Sequence, residues 1–384
     1  MATDLQAVLD ELTAYPSTEH PFLSIYLDIT PDGTGKRQSL VNLDQDFERI
    51  AGQIKQRGGN LESFEADRDR IMQLVNQDLP VDAQGLAIFA CNAEGVWNVV
   101  PLQVPVETQL YEDRYPHIFH LARIIDDYET FAVVLVDSQD SRIFVVSLNE
   151  AEKAGEADAG ENIRRFEAGG WGQMLFQRRI DNVIKAHHKE MADKLGRIIK
   201  RYGVQHVILA GNDSIKGSVR EALPTQIQDM VVDFINLDIR SNMQSIMETI
   251  EPMMREVERM QEADDVDDLE TEVNSKGGLG CVGIGDVALA LTKGQVRMLL
   301  MQQDFAAMGG ECPNCGTLRP GLRPTCPFDG TEMQQIDLRE AFVARARQQN
   351  AVIQIVEQSP FLVEHEGVGA LLYYRDDAPQ EQTA

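Results

Sequence analysis

Short apolar runs rich in β-branched residues alternate with segments of helical period along most of the chain. Clear examples of these runs are residues 22–29 (FLSIYLDI), 130–138 (TFAVVLVDS) and 206–211 (HVILAG). Runs of this length between turn signals are typical of buried strands, and their alternation with helices favours a layered sheet-and-helix fold. The sequence therefore predicts an α/β protein, and its 384 residues predict more than one domain.

The order of these segments predicts three domains. Residues 1–127 are expected to form an N-terminal α/β domain, in which two apolar runs joined by residues 92–95 form a hairpin. Residues 128–245 are expected to form a middle mixed α/β domain. Residues 246–384 are expected to form a C-terminal αβα domain that carries a cysteine-bearing insert at residues 310–332.

Two stretches lack the pattern of either a helix or a strand. Residues 151–162 are rich in Ala, Gly and Glu, and we expect them to be weakly structured. Residues 262–278 are first acidic and then Gly-rich, which predicts a linker or mobile loop.

The chain carries no apolar run long enough to cross a bilayer, and residues 1–16 contain acids where a signal peptide needs bases. We therefore expect a cytoplasmic protein with no membrane partner. The five cysteines agree with this location, because three of them cluster with a metal-like spacing that is unlike a disulfide framework.

The segments CPNCG and CPFDG form the pattern C-x2-C-x10-C-x2-D. In each segment a glycine permits a tight turn that brings the flanking ligands to one point. The thiolates of Cys312, Cys315 and Cys326 and the carboxylate of Asp329 can complete a tetrahedral structural zinc site. The alternative is a degraded ribbon that no longer binds metal, because Asp329 stands where a fourth cysteine would be expected.

The net charge of −27 argues against a general nucleic-acid-binding protein, since such binding requires Lys and Arg to neutralise phosphates. One segment, residues 163–201, is nevertheless basic. Its candidates for RNA contact are Arg164, Arg165, Arg178, Arg179, Lys185 and Lys189. A basic island in an acidic chain indicates that one surface meets a polyanion. The alternative is a solvated helix face.

The sequence GGWGQ stands in front of this basic segment and comprises Gly169, Gly170, Trp171, Gly172 and Gln173. Glycines allow a backbone that other residues cannot adopt, so we expect Gln173 at a loop tip or helix start. A glutamine cannot act as a strong base, but its amide can orient a water and stabilise developing negative charge. Such a loop suits insertion into an RNA-lined cavity. The alternative is a mobile surface turn whose Trp171 merely packs.

From about residue 130 to residue 375, the order of parts resembles the archaeal–eukaryotic class-I peptide-chain release factor and Pelota superfamily, in particular its bacterial, Balon-like members. The resemblance is carried by TFAVVLVDSQDSRIFVVSL followed by GGWGQMLFQRR and HVILAG, by DVALALTKGQVRMLLMQQ, and by the ending AVIQIVEQSPFLVEHEGVGALLYYR. It implies a C-terminal αβα domain of the ribosomal-protein-like type, with the cysteine-bearing insert as a zinc-ribbon-like finger.

In release factors of this superfamily a Gly-Gly-Gln tripeptide enters the peptidyl-transferase centre and promotes hydrolysis of peptidyl-tRNA. The resemblance matches Gly169 and Gly170 to the glycines and Gln173 to the glutamine, with Trp171 and Gly172 inserted between them. The insertion argues against hydrolysis, because an attacking water must be placed to within about 1 Å. The N-terminal domain also lacks a stop-codon-reading motif such as Asn-Ile-Lys-Ser, so codon-dependent termination is not expected.

The resemblance implies a translation factor that contacts rRNA in the ribosomal A site, with a translational GTPase as a candidate partner. We favour ribosome hibernation or the binding of stalled ribosomes without hydrolysis. Ribosome rescue, with hydrolysis of peptidyl-tRNA through Gln173, is the second reading. A peptidyl-tRNA hydrolase that acts off the ribosome and a protein adaptor remain open, so the sequence does not decide whether the chain is an enzyme.

Overall fold

The computed structural model describes most of the chain, in ranges separated by short gaps. The described residues are 5–15, 18–31, 33, 37, 40, 42–80, 83–102, 104–127, 130–147, 150–158, 171–321 and 324–376. Within these ranges the backbone alone is described for residues 127, 147, 150–158, 171–182 and 243–244. The chain forms two units, the first made of residues 1–127 and 260–384 and the second of residues 128–259. The division into three domains stays a prediction.

The N-terminal segment of the first unit folds as an antiparallel sheet covered by helices. Its elements are α1 (Leu5–Thr13), β1 (Phe22–Asp28), α2 (Leu43–Arg57), α3 (Leu61–Gln77), β2 (Gly85–Cys91), β3 (Val96–Leu102), β4 (Gln109–Asp113) and α4 (Phe119–Asp127). The strand order is β3-β2-β1-β4, so β4 is an edge strand. Apolar side chains of β1, β2, α2 and α3 form one buried cluster between the sheet and the helices. The predicted α/β character of this segment is confirmed.

Two glycines set the turns of this segment. β2 and β3 pair in antiparallel register, and Gly95 closes the hairpin with a φ of 72°. Gly58 also has a φ of 72° and ends α2, within the sequence RGGN. Residues with a Cβ rarely adopt such a backbone, so these glycines fix where the strand turns and where the helix stops. The predicted hairpin is confirmed.

The second unit is a mixed sheet with helices on both faces. Its elements before residue 243 are β5 (Phe131–Val136), β6 (Asp140–Ser147), β7 (Glu150–Asp158), α5 (Trp171–Tyr202), β8 (His206–Ala210), α6 (Lys216–Ala222), α7 (Thr225–Gln228) and β9 (Val231–Ile235). The strand order is β7-β6-β5-β8-β9. The β5–β8 and β8–β9 pairs are parallel, whereas the β5–β6 and β6–β7 pairs are antiparallel. The predicted mixed α/β character is confirmed.

The two faces of this sheet bury different helices. Val134 of β5 belongs to an apolar cluster with Leu195 of α5. Its neighbour Val133 belongs to the opposite cluster, which contains Ile246 of the next helix, α8 (Met243–Asn274). Successive strand residues point to opposite faces, so a continuous apolar strand such as β5 requires cover on both sides. This burial holds the C-terminal half of the long, basic helix α5 against the sheet.

The expectation of weak structure for residues 151–162 is wrong for the part that is described. Residues 151–158 belong to β7, which pairs with β6 along its length. The low strand propensity of Ala, Gly and Glu is overridden here, because β6 offers a complete edge of main-chain donors and acceptors. Residues 159–162 lie outside the described residues.

The predicted linker at residues 262–278 is also largely wrong, because α8 continues to Asn274. Val266 and Leu269 are buried and pack in one apolar cluster with Leu300. Their spacing of three places both on one helix face, so burial anchors the helix while its acidic residues stay on other faces. The acidic composition favours a linker, whereas the spacing of Val266 and Leu269 favours a helix.

The rest of the first unit contains a four-stranded sheet and a small three-stranded sheet. The elements are β10 (Gly280–Val282), α9 (Ile284–Lys293), β11 (Val296–Gln302), β12 (Met308–Glu311), β13 (Leu318–Pro320), β14 (Gln334–Asp337), α10 (Leu338–Gln348), β15 (Val352–Val356), α11 (Pro360–Glu364) and β16 (Val368–Leu372). The strand orders are β10-β16-β11-β15 and β13-β12-β14. The last strand ends at Leu372, and the two tyrosines that follow it, Tyr373 and Tyr374, are exposed. Among the described residues, no helix is both long and apolar enough to cross a membrane.

A buried carboxylate joins the N-terminal and C-terminal segments of the first unit. Glu340 of α10 is 2% exposed, and its Oε2 accepts main-chain hydrogen bonds from Ile118 and Phe119 at 2.7 and 2.8 Å. These N–H groups lie at the start of α4, where a helix has free donors and favours negative charge. The other carboxylate oxygen lies 3.4 Å from Nδ1 of His117. A side chain from one segment thus caps a helix of the other.

Candidate functional site

The predicted loop lies at the boundary of the described chain. The site residues that fall outside the described ranges are Arg164, Arg165, Gly169 and Gly170. Helix α5 begins at Trp171, so Trp171, Gly172 and Gln173 have a helical backbone. Gln173 therefore stands in the first turn of α5, in agreement with a helix-start position. The first main-chain N–H groups of a helix have no acceptor within it. The roles assigned to these residues stay predictions.

Helix α5 has a basic face opposite its buried face. The exposed bases among its described side chains are Lys185, Lys189, Arg197, Lys200 and Arg201. Met191 and Leu195 are fully buried in the core of the second unit. The helical period places position 178 on the same face as Lys185 and Lys189, with position 179 beside it. One long helix thus presents a basic stripe in an otherwise acidic chain.

Two adjacent histidines of α5 belong to its buried side. His187 and His188 are 2% and 0% exposed, and Nε2 of His188 lies 3.3 Å from the carbonyl oxygen of Asp137. Burial lowers the pKa of His188, so this side chain adds no positive charge to the helix at neutral pH. The charge of the basic stripe therefore comes from Lys and Arg alone.

The four predicted metal ligands come together in the insert. One donor atom from each of Cys312, Cys315, Cys326 and Asp329 lies within 4.8 Å of the others. The Sγ atoms of Cys315 and Cys326 are 3.5 Å apart, and Sγ of Cys312 lies 3.5 Å from Oδ2 of Asp329. Ligands of a tetrahedral ion bound at about 2.3 Å are separated by roughly 3.8 Å. The four side chains are therefore close enough to hold one metal ion.

The two halves of this cluster have the same backbone geometry. The N–H of Gly316 donates to the carbonyl of Cys312 at 2.8 Å, and that of Gly330 donates to the carbonyl of Cys326 at 2.9 Å. The two glycines have φ angles of 68° and 73°. A left-handed glycine four residues after the first cysteine lets each turn fold back beneath its ligands. The repeated Cys-Pro-x-(Cys/Asp)-Gly sequence thus produces two matching half-sites.

Hydrogen bonds favour the metal-binding ionisation states of two ligands. The main-chain N–H of Thr331 and the side-chain amide of Asn314 each donate to Asp329 at 2.9 Å, and they hold its pKa well below the ordinary range. The hydroxyl and N–H of Thr317 lower the pKa of Cys315. Metal ligands bind as carboxylate and thiolate, and such outer contacts also fix their orientation.

The insert is attached to α10 by one arginine. Nη2 of Arg345 donates to Oε1 of Glu311 at 2.8 Å and to the carbonyl oxygen of Gly316 at 3.1 Å. Glu311 ends β12, and Gly316 closes the first cysteine turn. A charge-assisted hydrogen bond of this kind is roughly twice as strong as a neutral one. Arg345 therefore fixes the first half-site relative to the helix that carries Glu340.

Sequence reasoning missed a cleft beside this cluster. It has a volume of about 780 Å³ and lies between the end of β4 and the insert. Its lining residues include Arg57, Arg114, Tyr115, Met308 and residues 331–336. The sequence carries no signal for it, because its walls come from the N-terminal and C-terminal segments and meet only in the folded unit. The buried pair of Glu340 and His117 escaped notice for the same reason.

One family model matches the middle of the chain. Residues 116–268 match the model of the bacterial archaeo-eukaryotic release factor family 10. This match contains all of α5 and the residues Trp171 to Gln173 that were aligned by resemblance. A sequence comparison with curated proteins gives no match.

Several solved structures are similar to this fold at low sequence identity. An archaeal translation termination factor, aRF1, is 17% identical over 97% of both chains, with a TM-score of 0.26. Pelota from Archaeoglobus fulgidus is 15% identical over 77% of this chain and 80% of its own, with a TM-score of 0.32. S. cerevisiae Dom34 is 8% identical over 98% of this chain and 95% of its own, with a TM-score of 0.42.

The resemblance inferred from the residues concerned the superfamily of class-I release factors and Pelota. The family match contains the first of the three stretches that carry the resemblance, within residues 130–211, and the matching family is a bacterial one. Over residues 116–268, the chain is therefore similar to the bacterial archaeo-eukaryotic release factor family 10.

Proposed function

We propose that this chain is a translation factor that binds the ribosome in its A site. The observation that carries the proposal is the family match of residues 116–268, because that segment contains the basic stripe of α5 and Gln173. The net charge of the whole chain is −27. An acidic chain with one basic helix face would approach rRNA at that face and be repelled elsewhere, which orients the encounter.

The rRNA contacts are proposed for the bases around the start of α5. They are Arg164, Arg165, Arg178, Arg179, Lys185 and Lys189. Lys185 and Lys189 are exposed on the stripe opposite the buried face of α5. Each base that neutralises a phosphate releases a counterion, so affinity for the ribosome should fall steeply as salt rises. The superfamily also implies a translational GTPase as a delivery partner.

Binding without hydrolysis is the favoured mechanism, in ribosome hibernation or on stalled ribosomes. Trp171 and Gly172 extend the Gly-Gly-Gln sequence by two residues, and their backbone is part of α5. Two helical residues rise about 3 Å along the helix axis. A displacement of that size is larger than the error that water placement for hydrolysis tolerates. Gln173 would then fill the peptidyl-transferase centre as a plug.

Hydrolysis of peptidyl-tRNA is the second candidate, and the helix-start position of Gln173 favours it. The first turn of α5 offers main-chain N–H groups without intrahelical acceptors, next to the positive end of the helix dipole. These donors and the Gln173 amide could orient a water and stabilise the oxyanion of the transition state. In this reading the chain rescues stalled ribosomes by releasing the nascent peptide.

We also propose that Cys312, Cys315, Cys326 and Asp329 bind zinc in a structural site. Three thiolates with one carboxylate form a donor set that suits Zn²⁺ and does not suit Mg²⁺ or Ca²⁺, which prefer oxygen ligands. All four positions of a tetrahedron are taken by protein ligands, so no open position remains for a substrate. The ion would tie together the two cysteine turns of a zinc-ribbon-like finger.

The function is tested with ribosomes that carry labelled peptidyl-tRNA and an empty A site, with binding and peptide release measured in the same reaction. The favoured mechanism predicts stoichiometric binding and no release above background. Release that disappears in Gln173→Ala, with binding retained, would instead establish the rescue mechanism. Gln177→Ala, one helical turn further along α5, is the matched control for a glutamine substitution in this helix.

Two results would overturn the proposal as a whole. Absence of ribosome binding would exclude both mechanisms and leave a protein adaptor. Cleavage of free peptidyl-tRNA without ribosomes would establish the off-ribosome hydrolase. Where ribosome binding is found, fractionation of ribosomes from growing and starved cells on sucrose gradients separates hibernation from rescue. A hibernation factor accumulates on ribosomes without nascent chains.

A further inference from the structure

The four ligands of the cysteine cluster differ in their access to solvent. Cys312 and Cys326 are 1% and 3% exposed, whereas Cys315 and Asp329 are exposed. Of the three sulfur ligands, Cys315 is therefore the one that a dissolved reagent can reach. A metal-bound cysteine is a thiolate, which is the reactive form, and its oxidation depends on exposure. Cys315 is thus the point at which an oxidant can attack the site.

A second sulfur lies close to the exposed one. Sγ of Cys326 is 3.5 Å from Sγ of Cys315. A movement of about 1.5 Å brings two sulfurs at this distance to the length of a disulfide bond. Cys326 is therefore placed to react with an oxidised Cys315. Such a reaction leaves Cys312 and Asp329 as the remaining ligand pair, with 3.5 Å between Sγ and Oδ2.

The two cysteines outside the cluster do not compete for an oxidant. Cys91 belongs to β2 and Cys281 to β10, and both are buried. Burial raises the pKa of the Cys91 thiol, and it raises the pKa of the Cys281 thiol to about 12. A buried thiol that stays protonated is inert. Oxidation is therefore directed to the cluster.

Few apolar contacts hold the two ligand turns without an ion. The apolar cluster that contains Cys312 and Cys326 has one further member in the described part of the chain, Met333. A small unit with so little apolar burial depends on its metal for a stable fold. Met333 also lines the cleft beside the insert, together with Thr331 and Glu332. Loss of the ion would therefore loosen one wall of this cleft.

We propose that the insert is a redox-sensitive zinc site, in which hydrogen peroxide oxidises Cys315 and Cys326 to a disulfide and releases the ion. This regulation rests on the proposed zinc site, because it needs an ion to release. Reduction of the disulfide restores both thiolates and allows zinc to bind again. The described ligands and the walls that they hold all lie in the first unit, so the switch acts there.

The oxidation transfers two electrons from the two thiolates to the peroxide. The Cys315 thiolate attacks one oxygen of hydrogen peroxide, which breaks the O–O bond and gives a sulfenic acid and hydroxide. The Cys326 thiolate then attacks the sulfenic sulfur, forms the S–S bond and displaces a second hydroxide. Two protons from solvent convert the hydroxides to water. Zinc leaves because two of its four ligands no longer carry a thiolate.

The test uses the full-length, zinc-loaded chain, both as the natural sequence and with Cys91→Ala and Cys281→Ala. Hydrogen peroxide is added in slight excess, and released zinc is followed with a chromogenic chelator that removes none by itself. We expect peroxide to release the bound zinc, and peptide mapping by mass spectrometry to find a Cys315–Cys326 disulfide. Dithiothreitol with added zinc should restore the metal content. Hydrogen exchange at residues 312–317 and 325–333 should become faster on oxidation, whereas α10 should be unchanged.

Cys315→Asp is the matched variant, because aspartate keeps a zinc donor at the exposed position and removes its thiolate. We expect peroxide to release its zinc at least about tenfold more slowly, since the remaining thiolates are buried. If this variant holds no zinc, the mapped disulfide decides alone.

Three results would overturn the redox switch and leave the zinc site intact. They are zinc that stays bound in peroxide, equal rates of release from Cys315→Asp and the natural chain, and a disulfide that maps to Cys312. A natural chain that binds no zinc before oxidation would overturn the zinc site and the switch together.

Discussion

Asp329 is the residue on which the assignment of the metal site depends most. It stands where the predicted ribbon pattern would have a fourth cysteine, yet its carboxylate lies 3.5 Å from Sγ of Cys312 and is oriented by Asn314 and Thr331. A ligand role predicts that Asp329→Ala lowers zinc affinity by at least about tenfold, since even changes to residues that orient ligands have effects of about this size. Zinc content after dialysis against a competing chelator measures the effect.

Asp304→Ala is the control for this substitution, because Asp304 is an exposed acid of the same unit outside the cluster. It should retain the zinc of the natural chain. Asp329→Cys should hold zinc at least as tightly as Asp329 does, because it completes a four-thiolate site. Equal zinc retention in Asp329→Ala and in the natural chain would remove Asp329 from the site.

His117 gives the first unit a predictable dependence of stability on pH. Burial alone would lower its pKa, but hydrogen bonds with Asp113 and Glu340 outweigh burial and raise the pKa to about 9 from an ordinary value of 6.5. A histidine whose pKa is higher in the folded state than in the unfolded state stabilises the folded state when it is protonated. This stabilisation is complete below pH 6.5 and disappears as pH rises through 9. We expect the free energy of unfolding in urea to fall between pH 7 and pH 9.5, by roughly 3 kcal/mol at most.

The comparison with His117→Gln isolates this contribution. Other groups, such as cysteine thiols, also titrate in this range, but they do so in both proteins and cancel in the difference. The variant should be less stable at pH 7 and should show a flatter dependence up to pH 9.5. Parallel curves for the two proteins would mean that His117 is neutral in the folded chain.

At the scale of elements, the lysines of the α5 basic stripe can be substituted without destabilising the helix. Lys185 and Lys189 are exposed, whereas the opposite face of the helix is buried. Lys185→Glu with Lys189→Glu should therefore weaken ribosome binding by tenfold or more, while the thermal unfolding temperature stays close to that of the natural chain. Sedimentation with ribosomes over a range of salt concentrations measures both affinity and its salt dependence.

A matched pair of charge reversals elsewhere tests whether position matters or only net charge. Arg49→Glu with Lys55→Glu changes the charge equally on α2, where both residues are exposed. This pair should leave ribosome binding nearly intact. An equal loss in both double variants would show that α5 has no special role in binding.

Helix α8 shows where composition fails as a guide to structure. Leu269 is fully buried against Leu300 and Leu371, within the stretch that resembles a linker in composition. Its substitution Leu269→Ala should destabilise the chain by about 2–5 kcal/mol, because it leaves a cavity in a packed core. Urea unfolding measures the difference. Glu270→Ala, at the next and exposed position, should change stability by less than about 0.5 kcal/mol, and similar losses for both would contradict the packed-helix structure.

The elements that sequence predicted correctly are those that local chemistry specifies. Gly95 permits the hairpin turn, and the Cys-x2-Cys spacing brings ligands together within a few residues. The elements that it missed depend on partners outside their own stretch of sequence. β7 exists because β6 pairs with it, and Glu340 is buried because it caps a helix more than two hundred residues away. Patterns in a short window hold no record of such partners.

At the scale of the whole molecule, the N-terminal segment depends on the C-terminal segment. Glu340 caps α4, the side chain of Arg347 donates to Asp10 at 2.6 Å, and Gln348 donates to the carbonyl of Thr13. These contacts join α1 and α4 to α10. The middle unit, residues 128–259, has apolar clusters of its own on both faces of its sheet.

This arrangement predicts how fragments of the chain behave. Residues 1–127 expressed alone should bind a hydrophobic dye and unfold without a cooperative transition, because removal of α10 exposes the apolar faces of α1 and α4 and leaves the Ile118 and Phe119 N–H groups without their carboxylate. The same residues joined to residues 260–384 through a long Gly-Ser linker should unfold cooperatively. Residues 128–259 should do so alone. Calorimetry of the three fragments measures this, and a cooperative transition in 1–127 alone would show that the N-terminal segment is an independent domain.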